Sequence, residues 1–137
     1  MLAARVREAF ARGKHATMAT LRADGSPRIS GTEVDLSEDG ELRLGSMPGA
    51  VKARDLLRDP RVAVHSPTVD PGEGGADWPG EAKVAGTALA RPRGEDGAHV
   101  FDVDLHEVVW TGLDEARSAL VILSWHPGRG LEERRRT

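Results

Sequence analysis

The chain has no cysteine, which excludes a disulfide framework, a thiolate metal site and a cysteine nucleophile. It also lacks any apolar run near the roughly 20 residues needed to cross a bilayer, and its first residues carry no apolar core of a secretory signal. A cytoplasmic protein with no membrane partner is the expectation. Basic excess is missing too, since the formal net charge is −3 and the pI is 5.9. A duplex-binding face neutralises several phosphates at once, so no nucleic-acid partner is expected, and Arg134-Arg135-Arg136 is too short a tail to reverse that. Lysine is scarce, with 3 among 19 basic residues, which makes the placement of Lys52 more informative. HExxH, EF-hand, GxGxxG and GxSxG patterns are all absent. His15, His65, His99, His106 and His126 are scattered with no Ser/His/Asp set around them, so hydrolysis is unsupported and no catalytic residue is assigned.

What is present is a short helix followed by a succession of strands. The 137 residues fit a single domain spanning 1–137. Leu2, Val6, Ala9 and Phe10 recur at helical spacing, predicting a helix over 2–12 that Gly13 caps. From Ala16 the period changes to two, predicting strands at 16–22, 28–35 and 41–46. They are joined by Ala23-Asp24-Gly25-Ser26 and by Ser37-Glu38-Asp39-Gly40. A helix over 50–59 would bury Ala50, Ala53, Leu56 and Leu57, leave Lys52, Asp55 and Arg58 off that face, and end at Asp59-Pro60. A strand at 61–66 follows, then residues 66–80, whose 3 Pro and 4 Gly cannot hold a regular element. Trp78 in that loop either shields a pocket or pins the loop to the body of the protein. Further strands are expected at 82–90, 98–110 and 119–125, with polar turns at 91–97 and 112–118, and Pro127 stops the last of them. Six or seven antiparallel strands with two or three short helices make a mainly β protein, a closed or split barrel.

Residues 45–64 carry the clearest chemical signal. A Gly/Pro turn opens the 50–59 helix, and Lys52 and Arg54 place two cations in its first turns. Unpaired N–H groups and the helix dipole favour an anion there, which suits a phosphate. Gly31, inside a strand, marks either close approach of a ligand or a bulge at a barrel bend. Asp102, Asp104 and His106 alternate along one strand face, where a water-facing stripe explains them better than a metal, so no metal is expected.

The order A-T-L-R-x-D-G-S-P-R-x-S from Ala19 to Ser30, a second hairpin, and K-A-R-D-L-x-R-D-P-R-V-A from Lys52 to Ala63 resembles the pyridoxamine 5′-phosphate oxidase-like family of flavin- and deazaflavin-binding split barrels. The likeness runs over about residues 10–90. It implies a split barrel that binds FMN, or alternatively the deazaflavin coenzyme F-420, in pockets at a homodimer interface, and an oxidoreductase acting on a small-molecule substrate. It places Lys52 at the cofactor phosphate, with Arg54 as a substitute for an arginine that relatives carry just before this lysine and that Ala50 and Val51 do not supply. Ser46 and Met47 match positions at the ring edge, and Ser30, Gly31 and Thr32 match positions beside its pyrimidine part. Trp78, Trp125 and Arg129 complete the expected cofactor-binding set, the last two by reaching across the dimer. Two other readings stand beside this one. One is a non-catalytic protein that binds or senses a flavin or haem, and the other is a barrel that has lost its ligand and serves as an interaction module.

Overall fold

The computed structural model describes residues 1–75 and 77–137. Two helices, α1 (Leu2–Phe10) and α2 (Val51–Arg58), and a single 3-10 turn at Glu73–Gly75 accompany eight strands. The strands are β1 (His15–Leu21), β2 (Pro27–Leu36), β3 (Leu42–Ser46), β4 (Arg61–His65), β5 (Glu81–Ala90), β6 (His99–Leu113), β7 (Leu120–His126) and β8 (Gly130–Arg136). All pairings are antiparallel. The order is β3-β2-β1-β4-β5-β6-β7-β8, and a further β3–β6 ladder closes the first six into a barrel. Closure leaves those six without a free edge, while β7 and β8 extend beyond the ring.

Strand alternation decides what fills the barrel. Met18, Leu42, Leu44, Val64 and Phe101 are buried and point inward. Residues between them, such as Thr17, Arg43 and Ala63, are exposed. β5 bends at a bulge between Ala85 and Gly86. A side chain at Gly86 would sit 2.1 Å from the Asp104 carbonyl oxygen, so only glycine lets β5 and β6 close up there.

The helices pack at opposite ends of the barrel. α1 buries Leu2, Val6, Ala9 and Phe10, as its spacing predicts, near the β2–β3 hairpin that Leu36 and Leu42 close. α2 lies over the far ends of the same strands, where Thr20 of β1 and Arg28 of β2 both bond to its Asp55. The expected helix face needs two corrections. Asp55 is buried and Leu57 is exposed, because Asp55 turns into the barrel end to meet Thr20 and Arg28.

The C-terminus needs another. β7 ends at His126 beside Pro127, as expected, but Pro127, Gly128 and Arg129 then form a three-residue reversal into β8. Gly128 and Gly130 adopt φ of 83° and 71° there, a conformation that favours glycine. The polar turn expected at 112–118 begins later, because β6 continues to Leu113.

Candidate functional site

At the α2 end of the barrel the strands present polar side chains to the interior. The register pairs Glu33 with Gly45 and Ser46 with His99, so Thr32, Ser46 and His99 lie side by side across β2, β3 and β6. Thr32 and His99 are buried. Ser46 Oγ is also buried, and it has no hydrogen-bond partner. A buried hydroxyl without a partner carries a desolvation cost, which a ligand atom or ordered water at this barrel end would relieve.

His99 stacks on Phe101, with centroids 6.4 Å apart. Arg93 Nη2 lies 3.2 Å from His99 Nε2. Arginine can only donate, so Nε2 accepts and the ring proton sits on Nδ1. Burial, followed by the positive charges of Arg93 and Arg54, holds the imidazole pKa below its ordinary value. His99 is therefore neutral at pH 7.

Asp55 anchors α2. Thr20 Oγ1 and Arg28 Nε each donate to Asp55 Oδ2 at 2.7 Å, and Arg58 Nη2 donates to Oδ1 at 3.0 Å. Burial alone would raise its pKa, but the bonds from Arg28, Thr20 and Arg58 outweigh it and hold the carboxyl down to about 2. Arg58 also donates to the Leu21 carbonyl at 2.8 Å. This network fixes the direction in which the α2 N-terminus points.

That N-terminus has no side-chain cap, Ala50 occupying the cap position, and no acidic residue in its first turn. Lys52 reaches from it to β2, where Nζ donates to the Gly31 carbonyl oxygen. The β2–β3 ladder runs no further along β2 than Glu33, so at Gly31 the ladder partner is Thr17 of β1. Arg54 is exposed and makes no ion pair among the described residues. Around Lys52 the surface is apolar and open: Ile29 is 75% exposed and Met47 78% exposed, and nothing lies within 4 Å of a side chain built on Gly31.

Of the expected site residues, Ser30, Gly31, Thr32, Ser46, Met47, Lys52 and Arg54 gather at this end, though not on one surface. Strand alternation turns Ser30, Thr32 and Ser46 inward and leaves Gly31 and Met47 facing out. Trp78, Trp125 and Arg129 lie elsewhere. Trp125 pairs with Val108 and Leu131 and faces an apolar cleft under α1. Trp78 precedes β5 at a loop end that Arg12, just past α1, holds by bonds to the Pro79 and Gly80 carbonyls at 3.1 and 2.8 Å. Arg129 stands on the β7–β8 turn, 61% exposed, with Glu132 3.9 Å away. His99 and Val108 are nine residues apart along β6, on the order of 30 Å of strand. Within one chain these three residues and Lys52 do not meet. His99, Arg93 and Asp55 were not anticipated. The alternation His99, Phe101, Val103 was the available signal, since it puts the imidazole on the apolar face.

Asp102 is held by Arg43 at 3.1 Å and Arg91 at 3.3 Å, while Asp104 lies 3.3 Å from His106. Among the described residues no group of three His, Asp or Glu is placed to hold a metal, and no helix is long and apolar enough to cross a membrane.

A six-stranded closed barrel with an uncapped, lysine-bearing helix end beside an apolar strand face defines a class of split-barrel proteins. The chain belongs to the pyridoxamine 5′-phosphate oxidase family, whose model matches residues 2–108. No curated protein matches the sequence. Among solved structures the chain is similar to a pyridoxamine 5′-phosphate oxidase-related, FMN-binding protein from Nostoc punctiforme. That pair has a TM-score of 0.65 and 10% identity over 99% of this chain and 93% of that one. It is also similar to a heme-binding protein from Mycobacterium smegmatis, with a TM-score of 0.57 and 15% identity over 99% of this chain and 88% of that one. An F420 reductase gives a TM-score of 0.54 and 17% identity over 73% of this chain and 92% of that one. Likeness at these identities establishes the fold.

Proposed function

We propose that this protein is an FMN-binding oxidoreductase of the split-barrel family, cytoplasmic and homodimeric, acting on a small molecule. The observation that carries the reading is the α2 N-terminus: uncapped, free of acidic residues in its first turn, and bearing Lys52 and Arg54. Lys52 spends one of its three donors on Gly31 and keeps two for a phosphate. Arg54, exposed two residues further along the helix, adds a second cation to the same helix end. The open strand face at Gly31, flanked by Ile29 and Met47, gives a flat ring an apolar surface to cover, and the unpaired Ser46 hydroxyl supplies a polar atom at the same end. When bound, the flavin would supply the hydride chemistry, and the chain's own residues would bind, orient and shield it. Because Ile29 and Met47 face open solvent in one chain, enclosure calls for a second chain, whose Arg129 turn is free to reach it.

The test is titration of the purified protein with FMN, the deazaflavin coenzyme and haem, followed by visible absorbance. FMN is expected to bind and turn the protein yellow, to bleach with a reductant and to recover with an acceptor. Colourless protein after all three titrations would overturn the proposal. A second reading, binding without turnover, is favoured by Ala50 and Val51 standing where relatives carry another arginine. It predicts a coloured protein whose reduced form meets no acceptor faster than free flavin does.

A further inference from the structure

The other end of the barrel contains a cleft that the flavin reading does not use. Its volume is about 440 Å³, within the range of small-molecule sites. Leu36 and Leu42 form its wall on the hairpin side, Val108 and Trp125 form the opposite wall, and α1 covers it. Leu131 of β8 stands 58% exposed at the rim. Arg7 is the one charged side chain among its lining residues. Its Nη1 donates to the Glu38 carbonyl at 3.2 Å, and it has no carboxylate partner among the described residues, which leaves most of its guanidinium fork available. An apolar cavity with one uncommitted cationic side chain in its lining, beside the α-amino end of Met1, selects both for a tail and for the sign of a head group.

We propose that this cleft is a second binding site, for a small amphiphile with an apolar tail and a single carboxylate. The tail packs against Leu42, Val108 and Trp125, and the carboxylate meets Arg7 at the rim. Within one chain the site is separate from Lys52, which belongs to the opposite end of the barrel.

The test uses the full-length protein in its solution state, with decanoate, decanol and decylamine below their micelle concentrations, by calorimetry and tryptophan fluorescence. Decanoate should bind once per chain, about tenfold more tightly than decanol, and decylamine should bind weakest. Arg7→Ala should bring decanoate down to the decanol level while leaving decanol binding, FMN binding and the thermal midpoint unchanged. Val108→Phe should fill the cavity and remove both ligands. Leu131→Glu, at a position 58% exposed, should repel decanoate alone. Trp125→Phe should abolish the fluorescence change and keep the heat of binding. Absence of decanoate binding, which a second chain seated over the cleft would produce, overturns the proposal. Equal affinity for decanoate and decylamine, or indifference of decanoate to Arg7→Ala, also overturns it.

Discussion

Lys52 completes a strand edge and also leads the helix end toward a ligand, and the two roles separate by experiment. Lys52→Ala should weaken FMN by the worth of a charge-assisted contact, about 1.5–3 kcal/mol, or roughly tenfold to a hundredfold in dissociation constant. Riboflavin, without the phosphate, should bind wild type and variant alike in the same titration. The Gly31 carbonyl is near solvent and takes up water, so the folding cost should stay below about 1 kcal/mol. An equal loss for riboflavin would show that Lys52 acts through the ring or the fold. Asp55 is the opposite case, a charge whose value is structural. Its carboxyl falls from an ordinary 3.8 to about 2 on folding. The stabilisation is therefore complete above about pH 4 and disappears as pH falls through 2, a difference of about 2 kcal/mol. Asp55→Asn should remove that acid-limb slope from urea melts. At neutral pH it should cost about 3 kcal/mol, because Arg28 and Arg58 are left without their anion.

At the scale of elements, the sequence was legible wherever one face of an element is buried. α1, the strands of the first two hairpins, α2 and β4 through β7 all carry a period that burial imposes, and their boundaries fall within a few residues of those expected. β8 was missed for the complementary reason. Leu131, Glu133, Arg134, Arg135 and Arg136 of that strand are exposed, so neither face leaves an apolar alternation, and Pro127 read as an end when it opens a hairpin. Asp55 was misplaced because helix periodicity sorts apolar from polar and does not see a buried carboxylate matched by an arginine 27 residues earlier in the chain, here Arg28. The site was half legible. Linked motifs located the α2 end, but consecutive residues 30–32 alternate between interior and surface, and sequence proximity conceals that. The 66–80 loop gives a prediction at this scale. Arg12 bonds both the Pro79 and Gly80 carbonyls, so Arg12→Ala should release the loop's end. Amide exchange and proteolytic cutting around Gly72–Gly75 should rise, with about 1–3 kcal/mol lost locally. If exchange in 66–80 is unchanged, Trp78 and not Arg12 holds the loop.

For the whole molecule, the separation of Lys52 from Arg129 within one barrel turns the proposed dimer into a geometric requirement. If both residues serve one cofactor, they come from different chains, each pocket using the α2 end of one protomer and the β7–β8 turn of its partner. Ile29, Met47, Val51 and Leu57, all exposed around α2 and β2, provide the apolar surface that such a contact would cover. Light scattering should accordingly give twice 14.7 kDa at micromolar concentration. A stable monomer would defeat the shared pocket at once. A stricter check mixes two chains each weakened in FMN binding, Lys52→Ala and Arg129→Ala, after unfolding and refolding together. In a two-fold dimer with shared pockets, the hybrid carries one pocket with both lesions and one with neither. Random pairing then restores about a quarter of the wild-type sites. If Lys52 and Arg129 acted in the same chain, every pocket of every dimer would retain one lesion and the mixture would bind FMN no better than its parents. Tight FMN binding at about a quarter of the wild-type stoichiometry, absent from either variant alone, is the expected outcome.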